Sequence, residues 1–276
     1  MLRAALTVRR VFHLVRGLYT AAAGALVAEA QADVIANNLA NVNTAGFKRT
    51  LLQVQSAPEL GVYRMQNDPA AALGGGTAST PAIQFVGALG TGSQVADTPA
   101  DFEQGSLSHT GNSLDLAIQG AGFFTLQTPQ GIRYTRDGQF TRDAQGYLVT
   151  LDGDRVLGRN GPIALQSGNV QIAQDGTVRQ NGQSIDQLRV VSFANQQAVR
   201  PEGDNRFVDT GNARPAQDAA STVNQGFLEG SNASVVRSMV DLITAQRWFE
   251  ANQKVIQTQD TTNGYAVQTV ARSNGQ

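Results

Sequence analysis

Histidine and cysteine carry much of the nucleophilic, acid–base and metal-binding chemistry of proteins. This chain of 276 residues has two of the first and none of the second. Without cysteine there is no disulfide, thiolate metal site or thiol nucleophile. His13 lies in an arginine-rich start and His109 in the polar stretch Ser108-His109-Thr110, so the pair completes no multi-histidine metal site. Asp152-Gly153-Asp154 begins like a calcium loop but lacks the later ligands and closing glutamate, and a hairpin turn accounts for it better. Gly120-Ala121-Gly122 runs on into Phe-Phe-Thr, which breaks a dinucleotide fingerprint at its third glycine. Neither a serine-hydrolase elbow nor a phosphate loop ending in Gly-Lys-Ser/Thr occurs. The sequence therefore predicts no catalytic residue, no cofactor and no metal. Asn232-Ala233-Ser234 matches a glycosylation sequon, but its place before a helical stretch makes Ser231-Asn232 an expected N-cap.

The polar residues with the most telling spacing are asparagines. Asn37, Asn38, Asn41 and Asn43 fall within seven residues of a helically spaced stretch, although asparagine competes with the helical backbone for hydrogen bonds. The element that must position them is a long N-terminal helix. Leu18, Ala25, Ala32 and Leu39 sit seven apart, with Ala21, Ala28, Ile35 and Val42 at the intervening positions, which is a coiled-coil seam. Near the other end Val235, Leu242, Phe249 and Ile256 repeat the spacing. Their companion row starts at Met239 and turns polar at Gln246, Gln253 and Asp260. Gly264 marks an end or kink of that helix. Helices of this length are rods of ~40–50 Å.

Proline and glycine confine long helices to the two ends. All eight prolines lie between Pro58 and Pro215, as do 24 of the 29 glycines between Gly61 and Gly230. Asp137-Gly138, Asp152-Gly153, Asn160-Gly161, Asp175-Gly176 and Asn181-Gly182 punctuate the middle as hairpin turns between strand-like runs such as Gly122–Gln127 and Leu188–Phe193. The reading is α+β: long N- and C-terminal helices pairing as a coiled coil, with a central mainly-β, antiparallel, hairpin-rich domain. Its parts are a leader or mis-assigned start over 1–14, a terminal helical assembly domain from 15–50 with 228–276, a connector from 51–95 with 205–227, and a central β domain over 96–204. Within the connector, Ala70 to Gly92 has low propensity for any regular structure.

The net charge of −1, with no basic block, argues against nucleic acid, and no run of ~18 apolar residues predicts membrane insertion. Alanine-rich seams bury little area, at ~25 cal/mol/Å2 against ~1–2 kcal/mol per ordered residue. A bare pair of these helices is marginal. Either both pack on their own β domain, or helices of many copies surround one another; sequence physics weights the two evenly.

A resemblance favours the second. Ala36-Asn37-Asn38-Leu39-Ala40-Asn41-Val42-Asn43-Thr44-Ala45-Gly46-Phe47-Lys48 resembles the N-terminal signature of the bacterial flagellar axial proteins of rod and hook. Ser113 to Phe124, with Asp115, Gly120, Gly122 and Phe123, followed by Tyr134-Thr-Arg136-Asp-Gly138, is similar to their central motif. Leu228-Glu-Gly-Ser231-Asn232, then Met239 to Arg247 with Gln246, and Phe249 to Gln257 with Glu250, Asn252 and Lys254, resembles the C-terminal one. Length and the Gln104-Gly-Ser-Leu107 lead-in most resemble the distal rod type, with the proximal rod type the close alternative; Arg237-Ser238 and Trp248 depart from the usual pattern. The resemblance implies a structural subunit whose partners are copies of itself and other axial proteins. It would be exported by the flagellar type III apparatus without a cleaved signal and add to a helical tube with the helices innermost. On this reading the asparagines fix register between neighbouring copies, and Gly46-Phe47 turns the chain outward with Phe47 as an apolar anchor. A secreted β-rich adhesin or needle-like protein would share the turn-rich middle without needing heptads at both ends.

Overall fold

The computed structural model describes residues 2–66, 82–218 and 220–273. Two long helices bracket a series of antiparallel strands: α1 (Leu2–Ala40) and α2 (Val235–Ser273). The chain divides into two compact units. One comprises Met1–Ala32, Gln53–Asp97 and Ile243–Gln276; the other comprises Asp33–Leu52 and Thr98–Leu242.

In the first unit the two helices lie side by side. Small residues permit the approach: a Cβ on Gly24 would stand 2.9 Å from Asn252 Oδ1, and one on Gly17 would overlap the Gln259 amide. Along α1, Ala21, Ala25, Ala28 and Ile35 are buried and Leu18, Ala32 and Leu39 half-buried. Val42 lies just past the helix end. On α2 only half of the predicted seam is correct. Leu242, Phe249 and Ile256 are half-buried, but the companion row is Ser238, Ala245, Asn252 and Gln259, one residue earlier than expected. Val235, Met239 and Gln246 accordingly point to solvent, Met239 being 51% exposed. The true row contains a single apolar residue, so hydropathy could not choose between offsets of three and four.

The rest of this unit is an antiparallel ribbon in the stretch expected as a connector. Leu60–Gln66 pairs with Ala82–Leu89, and Gln53–Ser56 with Ser93–Asp97. Part of the low-propensity run, residues 70–81, lies outside the described residues. Gly92, at φ +119°, sits where a Cβ would come within 2.7 Å of the Ala23 side chain, seating the ribbon on α1. Tyr63 and Phe85 pack edge to face at 5.6 Å, yet both remain exposed, as do Val62 and Val86.

The second unit is built on a nine-stranded antiparallel sheet. Its main path runs Val199–Gly203, Arg206–Asp209, Gly131–Thr135, Phe123–Thr128, Arg155–Val156, Leu148–Thr150, Phe140–Arg142, and Val190–Phe193 joins Phe123–Thr128 to Pro215–Gln217. A three-stranded sheet (Val170–Ile172, Thr177–Gln180, Gln183–Gln187) and two strand pairs complete the unit. Because side chains alternate across a pleat, neighbours Phe123 and Phe124 serve different cores. Phe124 meets Phe140 at 5.1 Å in one cluster, and Phe123 meets Phe193 at 5.1 Å in the other.

Asn181-Gly182 closes a two-residue hairpin with φ of 53° and 81°, as its sequence predicts. Asp137-Gly138 does not: the strands before and after it pair elsewhere, and glycine is required because a Cβ would lie 1.6 Å from Leu116 O. Residues 205–227, expected as connector, instead supply three strands of this unit and bury Phe207, Ala213 and Val223. Residues 33–50 and 228–242, expected with the terminal helices, also belong here.

Candidate functional site

The asparagine-rich segment ends α1 with its own side chains. Asn41 Nδ2 donates to Asn37 O at 2.9 Å, and Thr44 Oγ1 donates to Asn41 Oδ1 at 3.2 Å. Asn38 is buried and acts like a strand partner for Thr50: its Nδ2 donates to Thr50 O and its Oδ1 accepts from Thr50 N, both at 2.8 Å. The amides of Asn38 and Asn41 are thus both engaged within the chain, which narrows any register role between copies to Asn37 and Asn43. Between these points the backbone reverses at Gly46, whose φ is +67°. A Cβ there would stand 2.3 Å from Asp137 N, so both conformation and space demand glycine. Gly46 N donates to Glu229 O at 2.7 Å, and Asn205 Nδ2 donates to Ala45 O at 2.9 Å.

Beyond the reversal, three distant segments meet on one carboxylate. Lys48 Nζ donates to Glu229 Oε1 at 2.6 Å and to Glu103 O at 2.7 Å. Arg136 Nη1 reaches Glu229 Oε2 at 3.3 Å, and its Nη2 donates to Gly120 O at 2.7 Å. Gly105 N adds a third donor to Glu229 Oε1 at 2.8 Å. The side chains of Lys48 and Glu229 are 0% exposed and that of Arg136 is 1%. Burial holds the Lys48 ammonium below the usual lysine range although Glu229 opposes it, and burial likewise lowers the Arg136 guanidinium. Arg136 also lies 4.7 Å over the Phe123 ring.

A second clip runs beside the first. Asn232 Oδ1 accepts from Arg49 N at 2.7 Å, while its Nδ2 donates to Asp101 O and Glu103 O. Arg49 grips Asp101 Oδ2 through Nε and Nη2 at 2.8 and 2.6 Å. Burial pushes the Asp101 carboxyl upward, but the hydrogen bonds from Glu103 N and Arg49 outweigh it and leave the group below its ordinary value. Asn232 is therefore a cross-link and not the predicted N-cap. α2 starts only at Val235, and Ser231 Oγ accepts from Ala233 N in the turn before it.

Lys48, Arg136 and Asn232 were legible as motif residues; their convergence was not. Glu229 lies in the same motif, yet its chief partner is 181 positions away, and no local pattern announces that pairing. Of the remaining motif residues, Phe123, Phe124 and Tyr134 are core. Asp115 is buried and accepts from Thr110 Oγ1 and Asn112 Nδ2 in a turn. Gly122 is pressed against Val190, where a Cβ would approach to 2.4 Å. Arg247, Glu250 and Lys254 are exposed on α2. Phe47 is half-buried and lines an open groove of about 610 Å3, together with Asn37, Asn41, Asp137 and Leu151. In that groove burial, reinforced by Asp152 and Asp115, pushes the Asp137 carboxyl up to about 6 against a hydrogen bond from Gln139 N. Chemically the arrangement is a fastener: its charges are spent on one another, and it ties segments from three parts of the chain into one body.

Three family models match the chain in the order of these segments. They are described as flagella basal body rod protein over residues 18–48, flagellar hook protein FlgE/F/G D1 domain over 117–180, and flagellar basal body rod FlgEFG protein C-terminal over 224–269. The chain is 37% identical to the flagellar basal-body rod protein FlgG of Agrobacterium fabrum, over 89% of this chain and 95% of that one. It is 33% identical to FlgG of Borreliella burgdorferi (92% and 98%), and 34% identical to the rod protein FlgF of Caulobacter vibrioides (93% and 98%).

Proposed function

The chain belongs to the family of flagellar basal-body rod proteins, and from that membership we propose that it is a distal-rod subunit whose terminal helices pair as a coiled coil and line a helical tube. As a rod protein it is a structural part of the basal body that carries motor torque towards the hook, and so serves motility. Its partners are copies of itself and other axial proteins of rod and hook. We read it as reaching its place through the flagellar type III export apparatus without a cleaved signal, a reading that rests on the family alone.

The observation that carries the assembly reading is the apolar surface of α2. Val236, Met239, Val240 and Ile243 are each more than half exposed within about two turns of one another, and a contiguous apolar face of this kind marks an interaction surface. The similarity to FlgF over nearly the whole chain keeps the proximal rod as the second reading. Deleting the gene and imaging the basal bodies separates them. The distal reading expects a proximal rod stub without its distal segment; the proximal reading expects assembly to stop before that stub is complete; a hook-bearing, motile deletion strain overturns both.

A further inference from the structure

We propose that the groove beside the asparagine-rich segment receives the face of a second copy's α2 that carries Arg247 and Lys254. The proposal rests on the rod-subunit reading and names a surface through which copies meet.

The groove is acidic in a way that its own chain leaves uncompensated. Of its two cations, Lys48 is committed to Glu229, and Arg206 to Asp154 (2.6 Å) and Asp204. Asp137 and Asp152, which also line it, have no ion pair among the described residues. The elevated Asp137 carboxyl is what desolvation beside a second carboxylate produces, and an arriving cation would relieve it. Next to these acids stands Leu151, 71% exposed, with Phe47 half-buried nearby. The Asn37 side chain faces the same space without a partner among the described residues, so its amide is available to a visitor.

The matching surface is on α2. Val236, Val240, Ile243, Arg247 and Lys254 follow at intervals of four, three, four and seven, which places them on one face of the helix. That face is exposed throughout its own chain. It reads apolar and then charged over ~27 Å, with Glu250 between Arg247 and Lys254 and the positive charges in excess, and neither Arg247 nor Lys254 has an ion pair among the described residues. An apolar-and-acidic groove meets an apolar-and-basic helix face, which is the helix-in-groove mode of recognition with charge setting the register. A second copy supplies this partner at the right stoichiometry whenever the chain assembles.

The absence of cysteine makes the test direct. Full-length copies carrying Asp152→Cys are mixed with copies carrying Arg247→Cys, brought to assembling concentration and oxidised. Asp152 is exposed in a turn, so its replacement leaves folding intact. The expected result is an interchain disulfide that appears only on assembly and is absent when Ser184→Cys, on a remote exposed strand, replaces Asp152→Cys. In parallel, Asp152→Arg raises the concentration needed for assembly roughly tenfold, the scale of one close interfacial charge pair. Adding Arg247→Asp to the same chain restores it. Normal assembly without the cross-link, or without the charge-swap rescue, overturns the docking mode and leaves the rod-subunit reading standing. Failure of the parent chain to assemble, alone or with rod and hook proteins, removes both.

Discussion

Glu229→Gln is the substitution that tests whether one carboxylate holds the second unit together. The amide keeps the volume of the carboxylate, so no cavity is created and only charge changes. The residue takes donors from Lys48 at 2.6 Å, Gly105 N at 2.8 Å and Arg136 at 3.3 Å, and none of the three side chains is more than 1% exposed. Neutralising it leaves two cations in the interior with no counter-charge. Removing one partner of a buried ion pair costs about 3–5 kcal/mol. Each kcal/mol lowers the melting midpoint by about 2–4 °C in a unit of roughly this size, so a fall on the order of 6–20 °C is expected. Differential scanning calorimetry of the monomeric full-length chain reads it, with Glu202→Gln as the control. The Arg133–Glu202 pair lies on the surface, and its loss leaves the midpoint where it was. Lys48→Met should cost less than Glu229→Gln, because Glu229 then still answers Arg136. A fall of under about 2 °C for Glu229→Gln, or one no larger than that of the control, refutes the reasoning.

Asp137 gives a pH signature of opposite sense to ordinary acid denaturation. Its folded value of about 6 lies above the ordinary 3.8, so its favourable protonated form contributes fully below pH 3.8 and that contribution is lost as pH rises through 6. Asp137→Asn is therefore expected to be more stable than the parent at pH 8, by up to about 3 kcal/mol, and indistinguishable near pH 3.5, as urea unfolding at the two pH values would show. Gly46→Ala places a methyl 2.3 Å from Asp137 N at a positive φ, and should lose at least about 2 kcal/mol in the same assay. Asn38→Ala removes both hydrogen bonds to Thr50, with an expected loss of about 1–3 kcal/mol. Hydrogen exchange should quicken at Thr50 and leave the remote hairpin at Asn181 unchanged.

What the sequence disclosed follows from which physical signals are local. Burial along α1 was legible because the positions concerned are apolar; on α2 the covered Ser238, Asn252 and Gln259 carry no hydropathy, so their burial leaves no mark in the sequence. Asn181-Gly182 announced its hairpin, whereas the equally tight turn at Asp204-Asn205, with φ of 47° and 54°, carries its glycine one residue before the loop and so lacks the Asx-Gly order. The strands between 206 and 225 bury one apolar residue (Phe207, Val223) or none (Pro215–Gln217), too few for alternation to show, and they were assigned to a connector. Lys48, Arg136 and Asn232 stood out through their motifs. That they serve one junction depends on long-range closure, which no window of sequence contains.

Within the second unit, segments as far apart as Lys48 and Arg136 are stitched together by one residue at position 229. A polypeptide threaded outward with either terminus leading would carry a half-made interior, two positive charges without their mate, until nearly its whole length had emerged. Such a molecule gains nothing by maturing early. In any such release the charges of Lys48 and Arg136 could meet Glu229 only late, so closure of this interior would follow emergence of the chain.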